Sequence, residues 1–388
     1  MIDQILSYFT FGILEITALS VLFAFFLVRL FFYFVYYKPY STAKKRNKDT
    51  YILSTAKPKV SVIIASENEA TELEKNLPTI LNQDYPDYEV IVVNNGSTDE
   101  SENLLQSLKN QYPHLYFTFV PFAYDRKFST RKLALTIGIK AAKGDVVLFI
   151  EPYSNPVSEK WISSMVAELT EGKDVVLGYS FYNKTNKLFN RMARFDNHLY
   201  SMQYLSMALK DKPYTGTYRN IAYRKHLFFE NKGFASYLNL ENSEDLFINQ
   251  IVKKDNTAVA LSQDSFIETC LSSFSLWKQI KKSYSAVNTY FKSCAPALFK
   301  FEAFMRCFFY LIAIGLIVYS TITLHWAMLG TTAFIFLLKL IIELVVLNKP
   351  AKYFNSGKFY LSFLVMDFLQ PVYNFRFWTR SKRKVRKK

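Results

Sequence analysis

Cysteine and histidine are scarce in this chain: 388 residues contain three of the first and four of the second. Cys270, Cys294 and Cys307 are odd in number and widely spaced. That excludes a disulfide framework and fits a reducing compartment. No Cys/His spacing suits a structural zinc ion. Acidic residues are also in deficit, with 32 Asp and Glu against 48 Lys and Arg and a formal net charge of +16. An excess of that size calls for an anionic partner. The basic residues stand beside apolar segments, so anionic lipid is the expected surface and nucleic acid is not. Apolar side chains are what the chain has in plenty: 50% of all residues, with 17% aromatic.

The first long apolar run, residues 11–37, carries charge only at Glu15 and Arg29. It exceeds the ~20 residues that span a bilayer, and its aromatic end over residues 31–37 suits an interface. The start lacks basic residues and no small-residue cleavage site follows, so an N-terminal anchor over 1–37 is expected rather than a cleaved signal. A basic linker over residues 38–57 follows, with Lys38, Lys44, Lys45, Arg46 and Lys48. By the positive-inside rule this flank, and the domain after it, is predicted to be cytoplasmic. Residues 303–347 predict a hairpin of two spanning helices joined near His325. Residues 357–378 hold Asp367 and a Gln370-Pro371 break, and precede a polybasic tail over 379–388. A full crossing would strand that tail outside, so an interfacial or re-entrant element is expected. The tail would rest on anionic lipid at about 1 kcal/mol per basic residue.

Residues 58–295 alternate between short apolar runs and amphipathic stretches. Strands are predicted at 60–65, 89–93, 115–121 and 145–150. Helices are predicted at 69–83, broken or kinked at Pro78, from a Ser97-x-x-Glu100 capping box through 108, and at 129–142. Such alternation implies an α/β domain, a mostly parallel sheet with helices on both faces. Its ligands belong at the carboxyl ends of the strands. Residues 191–210, with Tyr200, Met202, Tyr204 and Met207, read as core packing.

Three segments end abruptly in polar residues: 60–70 with Ser66-Glu67-Asn68-Glu69, 90–99 with Asn94-Asn95-Gly96 and Asp99, and 146–156 with Glu151-Pro152-Tyr153. Further along come the stretch from Pro213 to Lys225, the pair Glu244-Asp245, and the segment from Trp277 to Tyr284. In this order and spacing they resemble family 2 glycosyltransferases of the membrane-attached bacterial branch, over residues 58 to about 290. The resemblance implies a Rossmann-like GT-A fold with added transmembrane helices. It implies inverting transfer from a nucleotide-diphosphate sugar to a lipid-linked or membrane-proximal acceptor, in envelope glycan synthesis at a bacterial inner membrane. Asp245 would be the general base, with Glu244 beside it. Ser66, Glu69, Asn94, Asn95, Asp99, Lys132 and Glu151 would serve the nucleotide sugar, Glu151 also holding Mg²⁺ or Mn²⁺. Trp277 and Lys281, on an interfacial helix near 275–292, would face the acceptor.

Several positions depart from that pattern. Tyr153 stands where the family's Asp-x-Asp has its second aspartate, and a protonated phenol is no metal ligand at neutral pH. Asn94 and Asn95 replace an acidic pair; an amide carbonyl still accepts a hydrogen bond, without charge assistance. Asn95 before Gly96 is also an ordinary turn pair. Ile280, Ser283 and Tyr284 replace Gln, Arg and His, and lysine does not fully replace a bidentate arginine. Plainer roles exist too: Glu69 and Asp99 as residues favoured near helix N-termini, Asp245 as a cap, Lys132 as a solvated helix lysine, and Trp277 on a membrane-surface helix. Two readings stay open: a working transferase, and a catalytically silent glycosyltransferase-like scaffold or regulator.

Overall fold

The computed structural model describes residues 10–47, 54–120, 130–238, 240, 243–288, 290–291, 293–360 and 362–385. The predicted strand end at Pro121, the predicted helix start at Ser129, part of the basic linker and the last residues of the basic tail lie outside these. A long helix, α1 (Ile13–Arg46), comes first. Then follow β1 (Val60–Ser66), α2 (Ala70–Leu81), β2 (Tyr88–Asn94), α3 (Ser101–Gln111), β3 (Leu115–Phe119), α4 (Thr130–Ala141) and β4 (Val146–Phe149). Next are β5 (Ser154–Pro156), α5 (Trp161–Val166), β6 (Val175–Leu177), β7 (Ser180–Tyr182), α6 (Leu188–Ala208), β8 (Ile221–Arg224), α7 (His226–Glu230) and α8 (Asp245–Ile251). The chain ends with β9 (Thr257–Val259), β10 (Ile267–Thr269), α9 (Phe274–Val287), α10 (Ala295–Ile322), α11 (Trp326–Tyr353) and α12 (Ser362–Val385).

The strand order is β3-β2-β1-β4-β8-β6-β9, with β5-β10-β7 in a second small sheet. β1 runs parallel to β2 and β4, β2 parallel to β3, and β8 antiparallel to β4 and β6. The central strands are continuous apolar runs because both faces are covered. Val60, Val62, Ile64, Val90, Val92, Val146 and Leu148 point to one face, with Leu73, Leu77, Ile80 and Leu81 of α2. Ile63, Ala65, Ile91, Val93, Val147 and Phe149 point to the other, with Ala134, Leu135 and Ile139 of α4. This is the period-two alternation of a strand placed between helices at periods of three and four. Ser66 and Asn94 lie side by side at the carboxyl edge.

Local detail differs from the sequence expectation. α2 begins after Glu69, ends at Leu81 and runs unbroken through Pro78. The capping box at Ser97 does not form. Asn94 Oδ1 takes the Ser97 N–H at 2.9 Å, Ser97 Oγ takes the Asn68 N–H at 2.9 Å, and α3 starts at Ser101. The polar loops after β1 and β2 thus interlock. Gly96, with φ +73°, makes the turn that a side chain would strain. The basic stretch after residue 37 is helical: α1 continues through Pro39 to Arg46.

Among the described residues three helices, α1, α10 and α11, are long and apolar enough to cross a membrane. His325 closes the α10–α11 hairpin by accepting the Met328 N–H at 3.2 Å. Helix α12 passes through Pro371 without a break and packs on α9 and α10. Inside this bundle lie six charged side chains, each at most 2% exposed: Arg29, Glu302, Arg306, Lys339, Glu343 and Asp367. Arg29 contacts Glu302, reaches Glu343 at 3.0 Å and lies 3.5 Å from Asp367. Arg306 meets Asp367 at 2.8 Å, and Lys339 meets Glu343 at 2.7 Å. The bundle and the sheet are not separate bodies. Phe32, Val35, Tyr36 and Ala43 of α1, and Phe354, Phe359 and Phe363, belong to the same buried cluster as one face of the sheet.

Candidate active site

Where the parallel strands end, acidic side chains gather close enough to feel one another. Glu69 accepts from Ser66 Oγ at 3.1 Å and from the Glu67 N–H at 3.3 Å. Burial, then the nearby Glu151 carboxylate, raises its pKa to about 7 against these bonds and Arg131. Glu151, just past β4, is 6% exposed. Its Oε1 takes Arg131 Nη2 at 2.5 Å, and its Oε2 is buried with no hydrogen-bond partner. Tyr153 stays a neutral phenol, because burial and Glu151 raise its pKa well above the ordinary value.

Glu244 and Asp245 come from the other side, where a loop enters α8. Glu244 stands at the helix N-cap but makes no side-chain cap bond. Asp245 is the first helical residue, 8% exposed, and accepts from the Tyr218 backbone N–H. Its pKa is pushed up to about 7, by burial first and then by Glu244; Arg219 and the Tyr218 bond oppose the shift. A buried carboxyl poised near neutrality is suited to exchanging a proton with a hydroxyl. Arg131 spans the two halves, with Nε 3.8 Å from Glu244 Oε1.

The other candidates divide into open and occupied groups. Asn95 Nδ2 donates to Glu67 Oε2 at 2.8 Å and to Thr130 Oγ1 at 3.0 Å, while its buried Oδ1 has no partner. That leaves one acceptor free for a base or sugar donor. Asn94 is committed to its turn at Ser97. Asp99 is exposed and ties the loops together, accepting from Ala70 N at 2.9 Å and Ser101 Oγ at 2.5 Å. Burial opposes its charge, but these bonds together outweigh it and hold its pKa below the ordinary value. It acts on α2 and α3 rather than facing the cleft. Lys132 is not solvated: it is fully buried and donates to the carbonyls of Tyr237, at 2.9 Å, and Leu240. Its neighbour Arg131, to which nothing in the sequence pointed, supplies a cation that pairs with Glu151.

On the far side, α9 is capped by Ser273, whose hydroxyl accepts the Leu276 N–H at 3.1 Å. Trp277 is 3% exposed and packs edge-on against Tyr373 of α12, ring centroids 5.6 Å apart. Lys281 pairs with Asp196 of α6 at 2.7 Å, and Asp196 also accepts from Gln370 of α12 at 3.0 Å. Tyr284 stacks on Tyr200 at 4.5 Å. Both tyrosines line a groove of about 560 Å³ between α6, α9, α10 and α12, whose walls include Phe299, Phe304, Phe308 and Phe375. Tyr200 thus stands on a ligand-sized groove, whereas Met202 and Tyr204 are core.

A mostly parallel α/β sheet, with a carboxylate-lined cleft at its strand ends and apolar helices packed on its flank, defines a GT-A protein. Residues 61–230 match the family described as glycosyl transferase family 2. It is 28% identical over 131 residues to a GalNAc(5)-diNAcBac-PP-undecaprenol beta-1,3-glucosyltransferase of Campylobacter jejuni, covering 34% of this chain and 41% of that one. It is 29% identical over 129 residues to glycosyltransferase AglE of Haloferax volcanii, covering 32% and 40%. The chain therefore spans about two fifths of the curated relatives it matches. In fold it is similar to a mannosyltransferase of Pyrobaculum calidifontis solved with GDP-Man and Mn²⁺. The TM-score is 0.54 and the identity 17%, over 94% of this chain and 99% of that one.

Proposed function

We propose that the protein is an inverting glycosyltransferase that moves a sugar from a nucleotide-diphosphate donor to a lipid-linked acceptor in envelope glycan synthesis. It would work at the cytoplasmic face of a bacterial inner membrane, held there by several crossings. One observation carries the reading: Asp245, buried in the cleft with a pKa of about 7, caps no helix and stands among acidic groups that leave ligand-directed atoms open. The relatives named above support the donor and acceptor classes, and the aromatic groove beside α9 gives a lipid tail a place to lie.

Asp245 would take the proton of the acceptor hydroxyl as its oxygen attacks the anomeric carbon and the nucleoside diphosphate departs. Asn95 Oδ1 would accept a donor N–H or O–H and so fix the nucleotide sugar. Glu151 has one oxygen free and buried, which suits a single-carboxylate ligand to Mg²⁺ or Mn²⁺, the remaining positions belonging to phosphate and water. Among the described residues no cluster of three or more acidic, Cys or His side chains stands close enough together to hold a metal ion. When bound, the ion would neutralise charge on the departing diphosphate. Arg131 holds the other Glu151 oxygen, orienting the free one.

The Arg131–Glu151 pair also favours the silent-scaffold reading, since it engages the carboxylate meant for the metal. Calorimetric titration of the detergent-solubilised protein with UDP and GDP, with and without Mn²⁺, separates the two. Metal-dependent binding, followed by sugar transfer to a lipid extract, is the expected result. Folded protein that binds no nucleoside diphosphate would end the transferase reading.

A further inference from the structure

The site also contains a buried cation that, among the described residues, no carboxylate meets at salt-bridge distance. Arg219, in the turn before β8, is 4% exposed. Among the described residues its hydrogen bonds go to neutral groups, and both leave from Nη2: Asn197 Oδ1 at 2.7 Å and the Tyr284 hydroxyl at 2.8 Å. Nε and Nη1 are buried and meet no acceptor in good hydrogen-bond geometry, the Tyr182 hydroxyl being the neutral group that interacts with the guanidinium more loosely. The guanidinium lies over the Tyr182 ring, 5.1 Å from its centroid, and feels Tyr153, Tyr204 and Tyr284 as well. Burial raises the pKa of each of these four phenols, so none of them supplies an anion. A buried, always-charged guanidinium with idle donors is costly to a fold unless something anionic arrives.

The surroundings hold the fork still. Asn197 donates its own amide to the Ser180 carbonyl at 2.8 Å, which fixes its Oδ1 toward Arg219. Asn220, the next residue, is bonded to Tyr179 O at 2.9 Å, Ser265 O at 2.8 Å and Trp161 Nε1 at 3.2 Å. Any side chain at Gly178 would strike it, a Cβ coming within 2.5 Å. The backbone that presents Arg219 is thus pinned on three sides. Its charge is near enough to Asp245 to favour the ionised carboxylate.

We infer that Arg219 is a preorganised clamp for a phosphate oxygen in the transfer site, its Nε and Nη1 forming the fork and Tyr284 and Asn197 holding the other arm. The inference rests on the transferase reading and deepens it. It also explains Tyr284: the hydroxyl that stands where the resemblance expects histidine steers an arginine from another element, at a place where α9 has Ser283 instead of arginine. Two ligands share this chemistry, the donor's diphosphate and the phosphate of a lipid-linked acceptor.

The test is titration of the full-length protein in detergent with UDP, GDP and farnesyl monophosphate, for wild type, Arg219→Gln, Arg219→Lys and Tyr284→Phe. Arg219→Gln should weaken at least one phosphate probe by roughly tenfold or more, the scale of a lost charge-assisted fork. Arg219→Lys should recover part of it, and uridine or guanosine should bind wild type and variant alike. Loss confined to UDP or GDP assigns the clamp to the donor; loss confined to farnesyl phosphate assigns it to the acceptor. Should Arg219→Gln not fold, Tyr284→Phe keeps the charge and frees the fork, and should weaken the same probe several-fold. Wild type that binds a probe while folded Arg219→Gln, or Tyr284→Phe in its place, binds it equally overturns the clamp alone. Wild type that binds none of the three overturns the transferase reading together with it.

Discussion

Two clusters of buried charge lie in this molecule, and they are built differently. In the helix bundle, Arg29, Arg306 and Lys339 face Glu302, Glu343 and Asp367, three against three, and each carboxylate touches a cation. In the cleft, Glu69, Glu151, Glu244 and Asp245 outnumber Arg131 and Arg219, and open atoms remain on both signs. The first cluster is balanced in charge, so its desolvation is largely offset within the protein, although Arg29 Nε, Arg306 Nε and Glu302 Oε2 also lack a hydrogen-bond partner. The second is incomplete, and its shifted proton affinities at Glu69 and Asp245 measure that incompleteness. A balanced cluster points to architecture and an unbalanced one to a ligand.

The comparison breaks most sharply at one atom in each cluster. Asp245→Asn should lower sugar transfer ~10²–10⁴-fold, the usual worth of a general base, while UDP or GDP binding persists in calorimetry. Undiminished turnover would remove Asp245 from the mechanism. Asp367→Ala should do the reverse, leaving cations uncompensated at a cost of about 3–5 kcal/mol. A large fall in melting temperature, read in detergent, is expected; an unchanged melt would show that the bundle network is dispensable.

The pH dependence sharpens the contrast. The transfer rate should rise as pH climbs through about 7 and level off above, because Asp245 acts as the ionised base. Stability runs the other way. The folded pKa of Asp245 lies above its ordinary 3.8, so its favourable contribution is complete below that value and is lost as pH rises through about 7. Asp245→Asn should therefore melt higher than wild type at pH 8, with the gap closing at pH 4. A variant that melts lower at pH 8 would contradict the assignment.

Smaller effects follow at the rim. Asn95→Ala removes the idle Oδ1 and should weaken nucleotide binding by about 1 kcal/mol, a single neutral hydrogen bond. Asp99→Ala should cost about 1 kcal/mol of stability through its bonds at the starts of α2 and α3, and leave nucleotide affinity unchanged. A loss of nucleotide affinity there would return Asp99 to the binding site.

The sheet was legible because its central strands are buried on both faces, and β-branched runs ending in polar residues follow from that burial. Glu151, Glu244 and Asp245 were legible as acidic breaks at predictable strand and helix ends. Arg131 was not, because it and Lys132 lie within one turn of Leu135, and sequence alone cannot say which of two adjacent helix residues enters a cleft. The same limit hid the role of Asp99, whose partners are backbone groups of another loop. Arg219 stood in a recognised motif with nothing local to mark it, since its environment is assembled from β7, α6 and α9. The bundle network did leave a trace: Glu302 with Arg306, and Lys339 with Glu343, are opposite charges four residues apart inside apolar helices.

The balanced cluster also sets a timetable for biogenesis. Arg29 is made 273 residues before Glu302 and 314 before Glu343. At bacterial or slower synthesis rates, roughly 5–20 residues per second, the first helix waits on the order of 15–60 seconds for its counter-ions. Were α1 to enter a membrane in that interval, its unneutralised guanidinium would have to be tolerated at the insertion machinery or drawn to the lipid headgroups. Helix α1 is thus made well before the residues that complete its charge network.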